Sequence, residues 1–338
     1  MASRSDNLQS AVRFVLNGFL LGCVCCTSSC SHSLEPAPAN SMVRVVSLAP
    51  SLTEIICAIG AETQLVGRTS ACDYPPNKVN HIPVVGGFGA PSLDLLLKIQ
   101  PTLVLDVDLQ DAAVGKMIEQ IGLKRERIAC STVDDIPRAI ARIGRLLRAE
   151  ASADPLADSI HSRMTNLRRE KEKREASGRP VPSVFVEIWS DPLTTVGKRS
   201  FISDLVSLAG GRNLGNEVTN KDYFPVSSEW VIARDPDVIL CLYMGKKGAG
   251  ANQKPEGRDQ EKPDSPNGSG SAWSRVAARP GWAGIAAVKY QRVYGNLDNS
   301  TILRPGPRVL EGIEALRRCM EERPGQGEGE TPLKEMQR

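Results

Sequence analysis

The stretch SLDLLLKIQPTLVL (residues 92–105) decides the fold, because the chain repeats its pattern as SSEWVIARDPDVIL (residues 227–240). In each copy a serine, Ser92 or Ser227, is followed after two residues by an acid, Asp94 or Glu229. After nine residues comes a proline, Pro101 or Pro236, and then an apolar run. A serine ahead of a periodic apolar stretch predicts a helix N-cap. The acid falls in the first turn, where the helix dipole favours negative charge. The proline cannot continue a helix, so the apolar run after it predicts a buried strand. Either acid alone is simply a good first-turn residue. Two at the same place predict a pair of exposed acids related by a pseudo-two-fold axis, suited to a symmetric partner carrying basic residues.

Around the first copy, Val43–Leu48 predicts a strand, and Ser51 with Glu54 reads as a capping box opening a helix that stops at Gly60. Strand-like runs recur at Leu65-Val66, Pro83–Val85, Leu103–Leu105 and Ile128–Cys130, with helical patterns between them. This alternation predicts a parallel α/β lobe over residues 43–149. A long helix follows, capped by Asp154 with Pro155 at its first position and closed by Gly178 and Pro180. Those limits give about 23 residues, roughly 35 Å at 1.5 Å per residue. Leu156, Ile160, Met164 and Leu167 form one narrow apolar stripe, as a strut across two lobes requires, and the charged run 168–175 reads as a solvated face. The interlobe segment is placed at 150–179.

The second lobe, 180–321, has strand patterns at Val184–Trp189, Leu193–Val196 and Val238–Leu242, with a helix at Phe201–Ala209. Residues 245–271 show no apolar period and read as a disordered surface insertion, and 322–338 as a polar tail.

The 338 residues suffice for two lobes; 41% are hydrophobic and 24% charged, an ordinary globular balance. The net charge of +3 is not gathered in one stripe, so nucleic acid has no electrostatic footprint. Arg4 and Arg13, the apolar Phe14–Leu21 and then Leu20-Leu21-Gly22-Cys23 read as a signal peptide over 1–22. A small residue before Cys resembles a bacterial lipobox. That makes Cys23 the lipid acceptor, 23–42 a flexible tether, and the protein membrane-anchored in the periplasm or on the extracytoplasmic face. An ordinary cleaved signal peptide, or a start codon placed upstream of the true one, are the other readings. Of nine cysteines, Cys57, Cys72, Cys130, Cys241 and Cys319 lie in the body without CxxC or zinc spacing and read as small buried hydrophobes. Cys72 alone falls in a loop with a view of a ligand.

Hydrolase, nucleotide and dinucleotide motifs are missing: there is no G-x-S-x-G, no P-loop lysine and no G-x-G-x-x-G after the first strand. An enzyme is therefore not expected, and no cofactor is implied. A free-metal receptor would need converging ligands, and the only histidines are His32, His81 and His161.

Four segments together resemble the cobalamin, haem and siderophore class of periplasmic substrate-binding proteins of ABC importers, nearest to its cobalamin-binding members. They are RVVSLAPSLTEIICAIG (44–60), CDYPP (72–76), VGGF (85–88) and LRPGPR (303–308). The resemblance runs over about residues 43–320 and implies two Rossmann-like α/β lobes joined by a single long helix, with ligand in the cleft between them. It implies that Asp94 and Glu229 dock on arginines of a dimeric permease with its ATPase; Asp94 departs from the usual Glu. Ligand contacts carry over to Ser51, Phe88, Tyr223 and Arg304. Trp189 reads equally as cleft wall or core, and Ala71 replaces a tyrosine found in some cobalamin binders. Aromatic faces suit a large flat macrocycle. The expected ligand is thus a small metal chelate, first a cobalamin-like corrinoid and the protein a monomer. A ferric siderophore would use Arg304 with Arg68 or Arg199. Haem would use Tyr74 or His81 as axial ligand. A different class, an extracellular scaffold or adhesin, would have a polar cleft that binds no small molecule.

Overall fold

A computed structural model of the chain describes residues 42–107, 112–243 and 271–321. The predicted signal segment 1–22, Cys23, the tether up to residue 41, most of the insertion and the tail 322–338 lie outside the described residues.

Two four-stranded parallel sheets share one topology. The first runs Leu65–Arg68, Val45–Ser47, Leu103–Asp106, Arg125–Arg127. The second runs Arg212–Asn213, Ser183–Glu187, Val238–Cys241, Val293–Tyr294. In both, the strand after the repeated helix lies beside the lobe's first strand, as two copies of one α/β plan require. Alternation along the strands sorts the core into layers. Val45, Leu103, Leu105, Val184, Val186 and Leu240 belong to one apolar cluster shared by both lobes and the long helix. Val46 and Val104 face outward onto Leu96, and Phe185 and Ile239 face outward onto Val231 and Trp282.

The two repeated helices are Leu93–Ile99 and Ser228–Arg234. Ser92 accepts from the Leu95 N–H and Ser227 from the Trp230 N–H, so both predicted caps form. Each helix ends on a left-handed residue, Gln100 (φ 51°) and Asp235 (φ 41°), directly before the repeated proline, which disfavours helical backbone in its predecessor.

Several expectations are corrected. The long helix spans Glu150–Ala176, 27 residues, and so begins a turn before Asp154, with Pro155 inside it. The preceding helix, Asp135–Leu147, closes at left-handed Arg148, and the Ala149 carbonyl at once accepts from Ala153 at 3.0 Å. The early start seats Ala153 against Gly144, where a Cβ would overlap the Cβ of Ala153. That close approach outweighs the one backbone bond that Pro155 cannot make. The first helix is Pro50–Ala58, capped by Ala49 without a side-chain bond, so Ser51 is no cap; Pro50 fits the first helical position because it lacks an N–H.

The edge strand is Arg125–Arg127, not Ile128–Cys130: Arg125 pairs with Asp106 on the neighbouring strand and sets the register. Pro83–Val85 makes a single bridge at Val84, since the chain turns into a hairpin, Gly86–Gly87 with Ala90–Pro91. The Val184–Trp189 run splits into Ser183–Glu187 and Trp189–Ser190. The second piece joins an antiparallel sheet with Leu193–Val196 and Tyr223–Pro225. Ser271 caps the helix Ala272–Ala277 and so belongs to the fold rather than to the insertion.

Candidate functional site

Between the lobes lies a cleft of about 1410 Å³, larger than pockets for drug-sized ligands. Phe88 stands at the turn of the Gly86–Pro91 hairpin, which leads into the Ser92 cap; Gly86 has φ 135°, and a Cβ there would lie 2.6 Å from the Ala90 carbonyl oxygen. Tyr223 opens the strand that leads into the Ser227 cap. The repeat therefore delivers one aromatic ring per lobe to the cleft, Phe88 47% and Tyr223 45% exposed. Ser51 and Arg304 line it as well. Trp189 does not: the break at Ile188 carries it into the antiparallel sheet opposite Thr194, where it is 50% exposed.

Charged side chains tie the lobes together at one wall of this cleft. Glu54, 4% exposed on the first helix, accepts from Arg308 Nε and Nη2, both at 2.9 Å. Arg304 donates through Nη1 to Asp73 at 2.7 Å and to Glu54 at 3.4 Å. The Arg308 guanidinium also lies 3.7 Å from the centre of the Tyr74 ring, and the Cys130 thiol donates to the Pro305 carbonyl at 2.9 Å. Burial works against ionisation of Asp73, but Arg304 outweighs it and holds the carboxyl below its ordinary value. Burial, with Asp135 nearby, pushes the Cys130 thiol up to about 12.

Sequence reasoning missed this junction. Its signal was a glutamate in an apolar first helix and two arginines flanking Pro-Gly-Pro near the end of the described chain.

The remaining cleft cations sit on the second lobe. Arg199 faces Asp222 at 3.5 Å, both well exposed, and Lys198 has no carboxylate at ion-pair distance among the described residues. Arg68 is not among the cleft cations: it is buried and donates to the carbonyls of Val79, Thr69 and Cys72. Cys72 is 1% exposed, with its sulfur 3.1 Å from the Thr69 hydroxyl, so it has no view of the cleft. The five body cysteines are all buried, and none of them forms a disulfide among the described residues. His81 and His161 are exposed and outside the cleft lining. Tyr243, in the second-lobe wall, donates to buried Glu187 at 2.9 Å, which also holds Arg279 through two 2.7 Å bonds. Burial, then Cys241 and Glu187, keeps the Tyr243 phenol above its ordinary value.

Asp94 and Glu229 are both exposed in the first turns of the paired helices. The Glu229 backbone N–H and the Ser227 hydroxyl hold the Glu229 carboxyl below its ordinary value.

Two α/β lobes of one plan, a long connecting helix and a deep aromatic-walled cleft define a two-lobed ligand-capture protein. The chain belongs to the periplasmic binding protein family, which matches residues 45–298, and so to the substrate-binding class that the sequence resembles. An uncharacterised ABC transporter substrate-binding lipoprotein of Bacillus subtilis is 29% identical over 280 residues, 81% of this chain and 78% of that protein. A vitamin B12-binding protein of Pectobacterium atrosepticum is 28% identical over 200 residues, 58% of this chain and 70% of the relative. Among solved structures, the apo periplasmic heme-binding protein of Roseiflexus sp. RS-1 aligns with a TM-score of 0.67 at 24% identity, over 83% of this chain and 98% of that one.

Proposed function

We propose that this protein is the substrate-binding component of an ABC importer and that its cargo is a cobalamin-like corrinoid. The observation that carries the ligand choice is the charge state of the cleft. Its lining rings Phe88 and Tyr223 offer flat apolar area, while Arg304 and Arg199 each already face a carboxylate and Lys198 alone of the lining cations does not, among the described residues. A planar macrocycle edged by neutral amides suits such a wall better than a polyanionic siderophore, which needs unopposed cations. Haem fits less well for a second reason. Of the two axial candidates, His81 lies outside the lining, and Tyr74 lies in it with its ring face already covered by the Arg308 guanidinium. The vitamin B12-binding relative supports the same choice.

In this reading Ser51, Phe88, Tyr223 and Arg304 contact the chelate, and the protein itself carries no cofactor. The loaded monomer then docks through Asp94 and Glu229 on basic residues of the dimeric permease. A lipid on Cys23 holds it at the extracytoplasmic face; Cys23→Ala should move the protein from the membrane to the soluble extract. The decisive measurement is a calorimetric titration of the purified protein with cyanocobalamin, haemin and a ferric siderophore in parallel. Saturable micromolar or tighter binding of cyanocobalamin alone is expected. Binding of only one of the others would replace the corrinoid while keeping the class, and binding of none would favour a scaffold.

A further inference from the structure

Arg304 is the cation at the junction of the two lobes that also lines the cleft, with its side chain 22% exposed. Its Nη1 group is divided between two carboxylates. Glu54 is already committed to Arg308 through two 2.9 Å bonds and reaches Arg304 only at 3.4 Å, whereas Asp73 reaches it at 2.7 Å. Asp73 is therefore the acid that cancels the charge of Arg304. The Asp73 side chain is 53% exposed on the cleft wall, so it can be changed without opening the core.

Of the other lining cations, Arg199 offers an anion no better footing, and Lys198 alone has no carboxylate at ion-pair distance among the described residues. The lining as a whole sets three cations, Lys198, Arg199 and Arg304, against four carboxylates, Asp73, Asp204, Asp222 and Asp298. Asp222 faces Arg199 and Asp298 faces Arg308, each at 3.5 Å. At Arg199 or Arg304 an anionic ligand edge would displace one of these carboxylates or sit near it, at a desolvation cost that a neutral carbonyl avoids.

The geometry points to Asp73 as a specificity-determining residue: by neutralising Arg304 it leaves an N–H donor for neutral carbonyl edges and excludes chelates with anionic edges. This deepens the corrinoid reading above and rests on it for the identity of the neutral ligand. The acid sits in the turn Cys72-Asp73-Tyr74-Pro75-Pro76, so the selectivity is set by a counter-ion beside the contact residue, with no change in Arg304 itself.

The test compares the full protein with Asp73→Asn, Asp73→Glu and Arg304→Gln, titrating cyanocobalamin, haemin and a ferric tris-catecholate. Asp73→Asn should raise affinity for the two anionic chelates, relative to cyanocobalamin, by about tenfold, as one freed charge-assisted hydrogen bond would give. The gain should shrink in high salt, Asp73→Glu should restore the wild-type ratio, and Asp73→Asn should have no effect on the ratio when Arg304→Gln is already present. A change in all affinities together, or an unmoved ratio, would overturn the inference. If wild type binds haemin and not cyanocobalamin, the corrinoid reading falls on its own. Haemin affinity in Asp73→Asn then decides the role of Asp73, and no gain sinks it. Binding of none of the probes by any variant overturns both.

Discussion

Glu54 stands three residues after Ser51, where a capping box would send its carboxylate back to the helix backbone, yet it crosses to Arg308. Pro50 explains the choice: with a proline first in the helix, there is one orphan N–H fewer to satisfy. No local pattern could announce the actual partner, 254 positions away. Glu54→Gln should leave the Arg308 side chain, 11% exposed, with Asp298 at 3.5 Å as its remaining carboxylate, beside the Ser300 hydroxyl and the Tyr74 ring. A loss of about 3 kcal/mol in urea unfolding is expected, because a buried charge loses its counter-ion. Asp135 gives a pH signature. Burial raises its carboxyl, but Arg138, Thr132 and the N–H groups of Ser131 and Thr132 outweigh that and lower it from 3.8 to about 2. A depressed folded value means the stabilisation is complete above the ordinary value and disappears as pH falls towards 2. Asp135→Ala should therefore cost about 1–2 kcal/mol at pH 7, and the gap to wild type should narrow between pH 4 and pH 2 in parallel urea melts.

At the scale of elements, the signals that could be read were local ones. Ser92 and Ser227, the acids two residues on and the prolines nine residues on lie within single helix–strand units, and the helices form where those residues place them. The long helix was legible in its apolar stripe and not in its start, because Asp154-Pro155 is a good local beginning that tertiary packing overrides. The override lies in Gly144 and Ala153, one on each of two adjoining helices, whose backbones approach so closely that no side chain fits at position 144. Gly144→Ala should accordingly destabilise the protein by about 1–3 kcal/mol, although alanine is the better helix former. Ala153→Gly in the same chain should recover part of the loss, and thermal melts of the three variants check both statements. Trp189 shows a related limit: a run of strand-forming residues does not reveal where one sheet hands over to another, and the handover at Ile188 removes the ring from the cleft.

At the scale of the molecule, the proposed function makes the repeat tie capture to delivery. Each lobe carries its cleft aromatic just before its capped helix and its exposed acid in the first turn of that helix, so a change in lobe spacing would move ring and acid together. The Glu54–Arg308 and Asp73–Arg304 contacts resist such a change, as does the continuous core through the Glu150–Ala176 helix. Two acids held at a fixed span can meet two symmetry-related basic sites only if both keep their charge. The ring pair needs neither acid, since Asp94 and Glu229 lie outside the cleft lining. Asp94→Lys with Glu229→Lys should therefore abolish association with the permease, measured by co-purification from membranes, while the ligand dissociation constant stays within about twofold of wild type. Each single reversal should weaken association less than the pair, and Asp94→Glu, with a side chain one methylene longer, should strengthen it. Loss of ligand affinity in the double variant would mean that the acids also shape the cleft, and the two roles would have to be joined.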